Sequence, residues 1–186
     1  MRIEPGELPG LLLIYPDRFG DQRGWFMETW QHNRYSEQGL TETFVQDNLA
    51  KSQRGVLRGL HIQNPYQQGK LVQVFSGKVF DVAVDVRKGS PTFGQSQGVM
   101  LDGEEAKQFY VPPGFAHGYY VISEETIFGY KCTELYHPET QFEIRWDDPA
   151  LNIDWPLDGD PLLSDKDSEA PLLADIDPEK LPVFDS

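Results

Sequence analysis

The sequence predicts an all-β protein, a sandwich, jelly roll or barrel with a few short helices, and three observations lead there. From Leu40 to about Trp155 the chain runs in short stretches rich in Val, Phe, Tyr and Thr, cut by Gly and Pro, the composition and punctuation of strands. Lys78 to Arg87 alternates Val82, Val84 and Val86 with Asp81, Ala83 and Asp85, giving one apolar face and one polar face at the strand period of two. Only one segment, Thr29 to Gln38, carries helix signals, with Thr29 placed to cap its start and Gly39 to end it. Closely spaced strands of this kind pack into architectures that leave few exposed edges.

Taken in order, the elements begin with a short apolar run, Leu11 to Ile14, far below the roughly 20 residues that a membrane span needs. Ser76-Gly77, between Lys70 to Phe75 and the alternating stretch, reads as a hairpin turn. After Trp155 the composition shifts: residues 158–186 hold nine acids, two lysines and prolines at 161, 171, 178 and 182. This predicts a loop with one helical turn after Ser164, then a mobile acidic tail, the segment being partly packed on the barrel.

The chain has 186 residues, 39% of them apolar and 12% aromatic, enough for one domain with a packed core. Its single cysteine, Cys132, forms no internal disulfide, and with no signal-peptide layout a soluble cytoplasmic protein is expected. Sixteen basic residues against thirty acidic ones give a formal charge of -14, which opposes binding to a nucleic-acid polymer or an anionic membrane. A small phosphorylated ligand stays compatible, because a few converging cations set a local potential of their own.

Polar groups concentrate in Gln46-Asp47-Asn48, in Arg58-Gly59-Leu60-His61-Ile62-Gln63 and in Gln68-Gly69-Lys70. On a regular strand Arg58 and His61 differ in parity and face opposite ways, unless a kink at Gly59 re-aims one of them. Alone, this segment is better explained by a core histidine and a surface ion-pair donor. Further on, Pro112-x-Gly114-x-x-His117 resembles the second motif of the cupins. In metal-binding cupins a His-x-His pair and a glutamate complete the ligand set; here Gln63 follows His61 at that spacing and no glutamate comes soon after. No metal is expected.

Gln46-Asp47-Asn48, Val56-Leu57-Arg58-Gly59-Leu60-His61, Gln68-Gly69-Lys70-Leu71-Val72, Val79 to Asp85, Ser90-Pro91-Thr92-Phe93-Gly94, Pro113 to Gly118, Tyr130-Lys131-Cys132-Thr133, Ile144 to Pro149 and Ile153-Asp154-Trp155-Pro156 together resemble the dTDP-4-dehydrorhamnose 3,5-epimerase family. The similarity runs from about Tyr15 to Leu173 in unbroken order. It implies a dimeric, cupin-like jelly-roll β-barrel acting without metal or other cofactor on a dTDP-4-keto-6-deoxy sugar, at carbons 3 and 5, through enolates. Relatives that act at one carbon only, and a non-catalytic sugar-nucleotide-binding cupin, are the alternatives.

In the family pattern His61 corresponds to the base, Asp167 to the carboxylate that orients it, Lys70 to the cation beside the substrate ketone and Tyr130 to the acid on the far face. Each also has a plain structural reading: a core tyrosine, a strand-end lysine, and an aspartate closing a cap begun at Ser164. Arg58, Arg23 and Lys166 match positions implied to meet the diphosphate or its neighbours. Phe19, Glu28, Gln46, Asn48 and Tyr136 match those around the nucleoside, and Asp47 and His117 further substrate-binding positions. Arg23 and Glu28 are implied to serve the partner's site. Gln141 stands where the family has a glutamate, and Trp25 where a smaller aromatic is usual.

Overall fold

The computed structural model describes residues 1–184. Thirteen strands follow one another: β1 (Arg2–Pro5), β2 (Leu12–Tyr15), β3 (Arg18–Asp21), β4 (Gly24–Met27), β5 (Gln46–Gln53), β6 (Leu57–Gln63), β7 (Lys70–Ser76), β8 (Lys78–Asp85), β9 (Ser96–Asp102), β10 (Gln108–Val111), β11 (Phe115–Val121), β12 (Glu125–Cys132) and β13 (Gln141–Glu143). Two short helices join them, α1 (His32–Glu37) between β4 and β5 and α2 (Asp165–Ser168) after β13. One sheet has the order β1-β2-β10-β7-β12-β5, the other β13-β6-β11-β8-β9, and β3 and β4 form a separate hairpin. This is the jelly roll expected, with two facing sheets that are not closed into a continuous barrel.

The sheets face each other across a core in which Val72, Val74, Phe109 and Phe128 of the first meet Val79, Ala83, Leu101, Tyr119 and Val121 of the second. The other face of β8 is apolar as well: Val82 and Val84, with Val86 beyond it, pack under Trp155, Leu173, Ile176 and Leu181. The polar face of β8 therefore looks into the molecule. Asp81 and Asp85 are fully buried there, and Asp85 is held by Arg87, Ser90 and Thr92. A period of two separates the faces of a strand without saying which of them meets water.

Three local expectations are corrected. Ser76-Gly77 is no hairpin turn: β7 pairs with β10 and β12, and β8 with β11 and β9, so at Gly77 the chain crosses from one sheet to the other. Gly77 has φ +86°, and a Cβ there would collide with the Glu125 carbonyl, so the corner needs glycine. The helix starts at His32, not Thr29, with Gln31 as cap, its Oε1 accepting from Arg34 N at 2.6 Å. The Thr29 carbonyl instead accepts from Tyr35 Oη and Gln108 Nε2; Gly39 does end the helix, at φ +99°.

The C-terminal segment is not a mobile tail as far as Phe184. Ala170, Leu173, Ile176 and Leu181 are buried, three of them in the layer that covers the outer face of the second sheet. Each large apolar side chain so buried contributes about 2 kcal/mol. The last described residue bonds to the stretch after β8, Phe184 N donating to the Lys88 carbonyl at 2.9 Å. Asp185 and Ser186 lie outside the described residues.

Candidate active site

The parity conflict between Arg58 and His61 is resolved by an irregularity in β6. Opposite β11, His117 faces His61 and Tyr119 faces Arg58, so two steps on one strand match three on the other, as in a β-bulge. Gly59 sits in the irregularity at φ +119°, and a Cβ on it would lie 2.6 Å from Gly118 Cα. Leu57, Leu60 and Ile62 consequently share the outer core, while Arg58 and His61 line the same cavity.

Two adjoining cavities meet at His61 and Gln141. One, of about 370 Å³, is lined by Gln46, Asn48, Gln68, Lys70, Tyr130 and Tyr136 besides those two. The other, of about 360 Å³, adds Arg58, Glu143, Ser164, Lys166 and Asp167. Ten side chains singled out in the sequence are thereby brought together: His61, Tyr130, Asp167, Lys70, Gln46, Asn48, Arg58, Tyr136, Gln141 and Lys166.

His61 Nε2 lies 2.6 Å from Asp167 Oδ1, which leaves Nδ1 without a protein partner among the described residues. Asp167 is only 3% exposed. Its second oxygen accepts from Ser164 Oγ at 2.7 Å, and Ser164 Oγ accepts in turn from Asp167 N at 3.2 Å. The capping pattern and the His61 contact are thus one arrangement: Ser164 caps α2 and, by doing so, aims the carboxylate. Burial raises the Asp167 pKa, but the hydrogen bond and charge of His61, with Ser164 and the Gly59 amide, outweigh it and leave the carboxyl below its ordinary value.

Lys70 opens β7 and keeps part of its surface on the cavity, with its ammonium closed in by protein. That desolvation lowers its pKa, against the opposing pull of Cys132 and Asp81. Tyr130, on β12, is pushed up to about 12, chiefly by burial, with Cys132 and Tyr119 adding to the rise and Arg58 opposing it; at neutral pH it is a protonated phenol. Most lysines and arginines of this acidic chain sit against a carboxylate, as Arg87 does on Asp85 and Lys131 on Asp47. Arg58, Lys70 and Lys166, which line the two cavities, have no such partner among the described residues. Arg58 is held instead by a neutral acceptor, Ser52 Oγ, at 3.3 Å.

Five predicted residues are not in the cavities. Asp47 points out of the sheet, because β5 alternates and its neighbours Gln46 and Asn48 take the inward positions; it pairs with Lys131 at 2.9 Å. His117 is buried on a strand with no exposed residue and is held by both oxygens of Asp81, at 2.9 and 3.0 Å. Phe19 and Arg23 lie on the exposed β3–β4 hairpin, where Arg23 pairs with its own neighbour Asp21. Glu28, just after it, pairs with Arg34 at 3.2 Å. Sequence reasoning missed Glu143, which was legible as the residue two beyond Gln141 on one strand face, and Ser52, which carries no local signal. Among the described residues no group of three or more His, Cys, Asp or Glu is arranged to hold a metal ion, and no helix is long and apolar enough to cross a membrane.

A carboxylate-backed histidine sharing a cavity with a half-buried lysine and a protonated tyrosine, between the sheets of a jelly roll, defines the class: a cupin-like protein. The sequence profile of the dTDP-4-dehydrorhamnose 3,5-epimerases matches residues 5–175, and the chain belongs to that family. It is 52% identical over 162 residues to the dTDP-4-dehydrorhamnose 3,5-epimerase of Methanothermobacter thermautotrophicus, covering 86% of this chain and 88% of that one. The crystal structure of the dTDP-6-deoxy-D-glucose-3,5-epimerase of Legionella pneumophila, in complex with dTDP-4-keto-L-rhamnose, superimposes with a TM-score of 0.97 at 54% identity, over 100% of this chain and 99% of that one. A 3'-monoepimerase of Streptomyces bikiniensis, in complex with dTDP-quinovose, has a TM-score of 0.90 at 34% identity, over 96% and 92%.

Proposed function

We propose that the chain epimerises dTDP-4-dehydro-6-deoxy-D-glucose at carbons 3 and 5, giving dTDP-4-dehydro-L-rhamnose for dTDP-rhamnose synthesis. The observation that carries this reading is the 2.6 Å contact of His61 with buried Asp167 at a cavity shared with Lys70 and Tyr130. Inverting a carbon beside a ketone requires a base for its proton, a positive group for the enolate oxygen and an acid on the opposite face. His61 takes the proton and Asp167 stabilises the imidazolium that forms. The C–H electron pair moves into the ring as the ketone becomes an enolate, whose oxygen Lys70 stabilises as a compact charge. Tyr130 returns a proton to the other face of the same carbon and recovers its own from solvent, while His61 releases the one it took. Each cycle moves protons only, and a second cycle inverts the second carbon.

Arg58 and Lys166 meet the diphosphate in this reading, and Gln46, Asn48 and Tyr136 the nucleoside. We further propose a cytoplasmic homodimer of one-domain subunits in which Phe19, Arg23 and Glu28 reach the partner's nucleotide. Its support is the exposure of large apolar side chains, Phe19, Trp25 and Phe26 on the hairpin and Leu49 and Phe75 on the first sheet, beside the unpaired edge of β5. Light scattering is expected to give twice the chain mass of 21.2 kDa; the single-chain mass at working concentration contradicts the dimer.

The activity is tested by incubation with dTDP-4-keto-6-deoxyglucose in deuterated water, followed by nuclear magnetic resonance. Deuterium at both carbon 3 and carbon 5 is expected. Incorporation at one carbon alone makes the chain a single-site epimerase like the Streptomyces relative, and incorporation at neither leaves a binding protein.

A further inference from the structure

Gln141 and Glu143 are the first and third residues of β13 and share one face of it. In register they lie opposite Gln63 and His61, so Glu143 is cross-strand neighbour to the base. Gln141 Nε2 donates to Glu143 Oε1 at 2.9 Å. A carboxylate accepts and does not donate, so this contact fixes which way the amide is turned. One N–H of Gln141 is committed to Glu143, which turns the nitrogen toward the carboxylate and leaves Oε1, without a protein donor among the described residues, free to accept. Gln141 lines both cavities, whereas Glu143 lines only the one that holds Arg58.

We infer that Glu143 is a positioning residue that turns Gln141 so that its carbonyl accepts a hydrogen bond from a hydroxyl of the sugar. The inference rests on the function proposed above. It assigns the sugar and not the nucleoside because Gln141 stands with His61 where the two cavities meet, and its anchor Glu143 lies opposite His61, beside which the reacting carbons must lie. The charge is held one step back: a carboxylate at position 141 would meet the sugar directly, while here a neutral amide meets it and Glu143 supplies the anchor. Without that anchor the amide is free to turn its nitrogen to the sugar, and the hydrogen bond to its carbonyl is lost.

The test compares binding of dTDP-L-rhamnose, a stable relative of the proposed product, with binding of dTDP, by calorimetry. Glu143→Gln is expected to weaken dTDP-L-rhamnose about tenfold and to leave dTDP unchanged. The exchanged pair, Gln141→Glu with Glu143→Gln, reverses the roles: the amide at 143 now donates to the carboxylate at 141, whose other oxygen accepts from the sugar. It is expected to bind dTDP-L-rhamnose within about threefold of the wild type. Unchanged sugar-nucleotide binding in Glu143→Gln, an equal loss for dTDP, or an exchanged pair as weak as the single variant each overturns the inference. So does a wild type that binds dTDP-L-rhamnose no more tightly than dTDP. Failure of the wild type to exchange deuterium sinks the proposed function instead, and the binding comparison still decides Glu143.

Discussion

The cavity around His61 and the β3–β4 hairpin differ in how their predicted residues are engaged. At the cavity, the cations Arg58, Lys70 and Lys166 have no carboxylate partner among the described residues, and the one carboxylate that is paired, Asp167, is buried and held from two sides. On the hairpin and just after it, Arg23 and Glu28 are exposed or nearly so and are paired with their neighbours Asp21 and Arg34. One region is lined by cations without a carboxylate partner among the described residues. The other has its charges satisfied within reach of exposed aromatics, Phe19, Trp25 and Phe26. In the function proposed above, the difference separates the chemistry, assigned to one chain, from the part of nucleotide binding assigned to a second copy.

Removing His61 attacks the first region at its centre. His61→Ala is expected to lower deuterium exchange into the keto sugar by about 1,000-fold or more, as loss of a general base does, with dTDP binding kept within about twofold. Asp167→Asn comes next, with an expected loss of about 100-fold in kcat and little change in KM, because the base remains but its protonated form is no longer stabilised. A loss no larger than that of an exposed aspartate would reduce Asp167 to a helix cap.

The hairpin should answer differently. Arg23→Ala is expected to raise KM about tenfold and to leave kcat within about twofold, measured by initial rates at several substrate concentrations. A fall in kcat with unchanged KM would erase the division between the two regions.

The smallest effect on activity is expected at Asp85, buried in the same core but outside the cavities. Burial raises its pKa, but Arg87, Ser90 and Thr92 overcome this and hold it at about 2, against the ordinary 3.8. A folded-state pKa below the unfolded one stabilises the protein above the unfolded value and loses that contribution as pH falls through the folded one. The contribution is about 2 kcal/mol. Urea unfolding of wild type and Asp85→Asn should therefore differ most at about pH 7 and converge between about pH 4 and pH 2, with the kcat of the variant unchanged. A stability gap that does not shrink in acid would contradict this assignment.

Much of this was legible in the sequence, and the omissions share a cause. The period of β8 gave its two faces, yet only the packing of Trp155, Leu173, Ile176 and Leu181 over Val82 and Val84 turns the aspartates inward. The same period, applied to Gln46-Asp47-Asn48, separates Asp47 from its neighbours, and the structure sends it outward to Lys131. The Ser76-Gly77 turn was recognisable, but local turn chemistry does not say with which strand the next one pairs. Arg58 and His61 share a cavity because of an irregularity that needs Gly59 opposite Gly118, a contact between segments distant in sequence. The C-terminal residues were hidden by the acids around them, their apolar side chains being too sparse to show a periodicity.

The most direct test of the account compares Tyr130→Phe with the wild type on the same keto sugar nucleotide in deuterated water. Burial keeps the Tyr130 phenol protonated at neutral pH, so it has a proton to give on the face opposite His61, and removing its hydroxyl should spare enolate formation and stop inversion. The account predicts that Tyr130→Phe exchanges deuterium at the reacting carbons with retained configuration, His61 returning a solvent-derived deuteron to the face it came from. Normal inversion in Tyr130→Phe, or loss of exchange and inversion together, would contradict it.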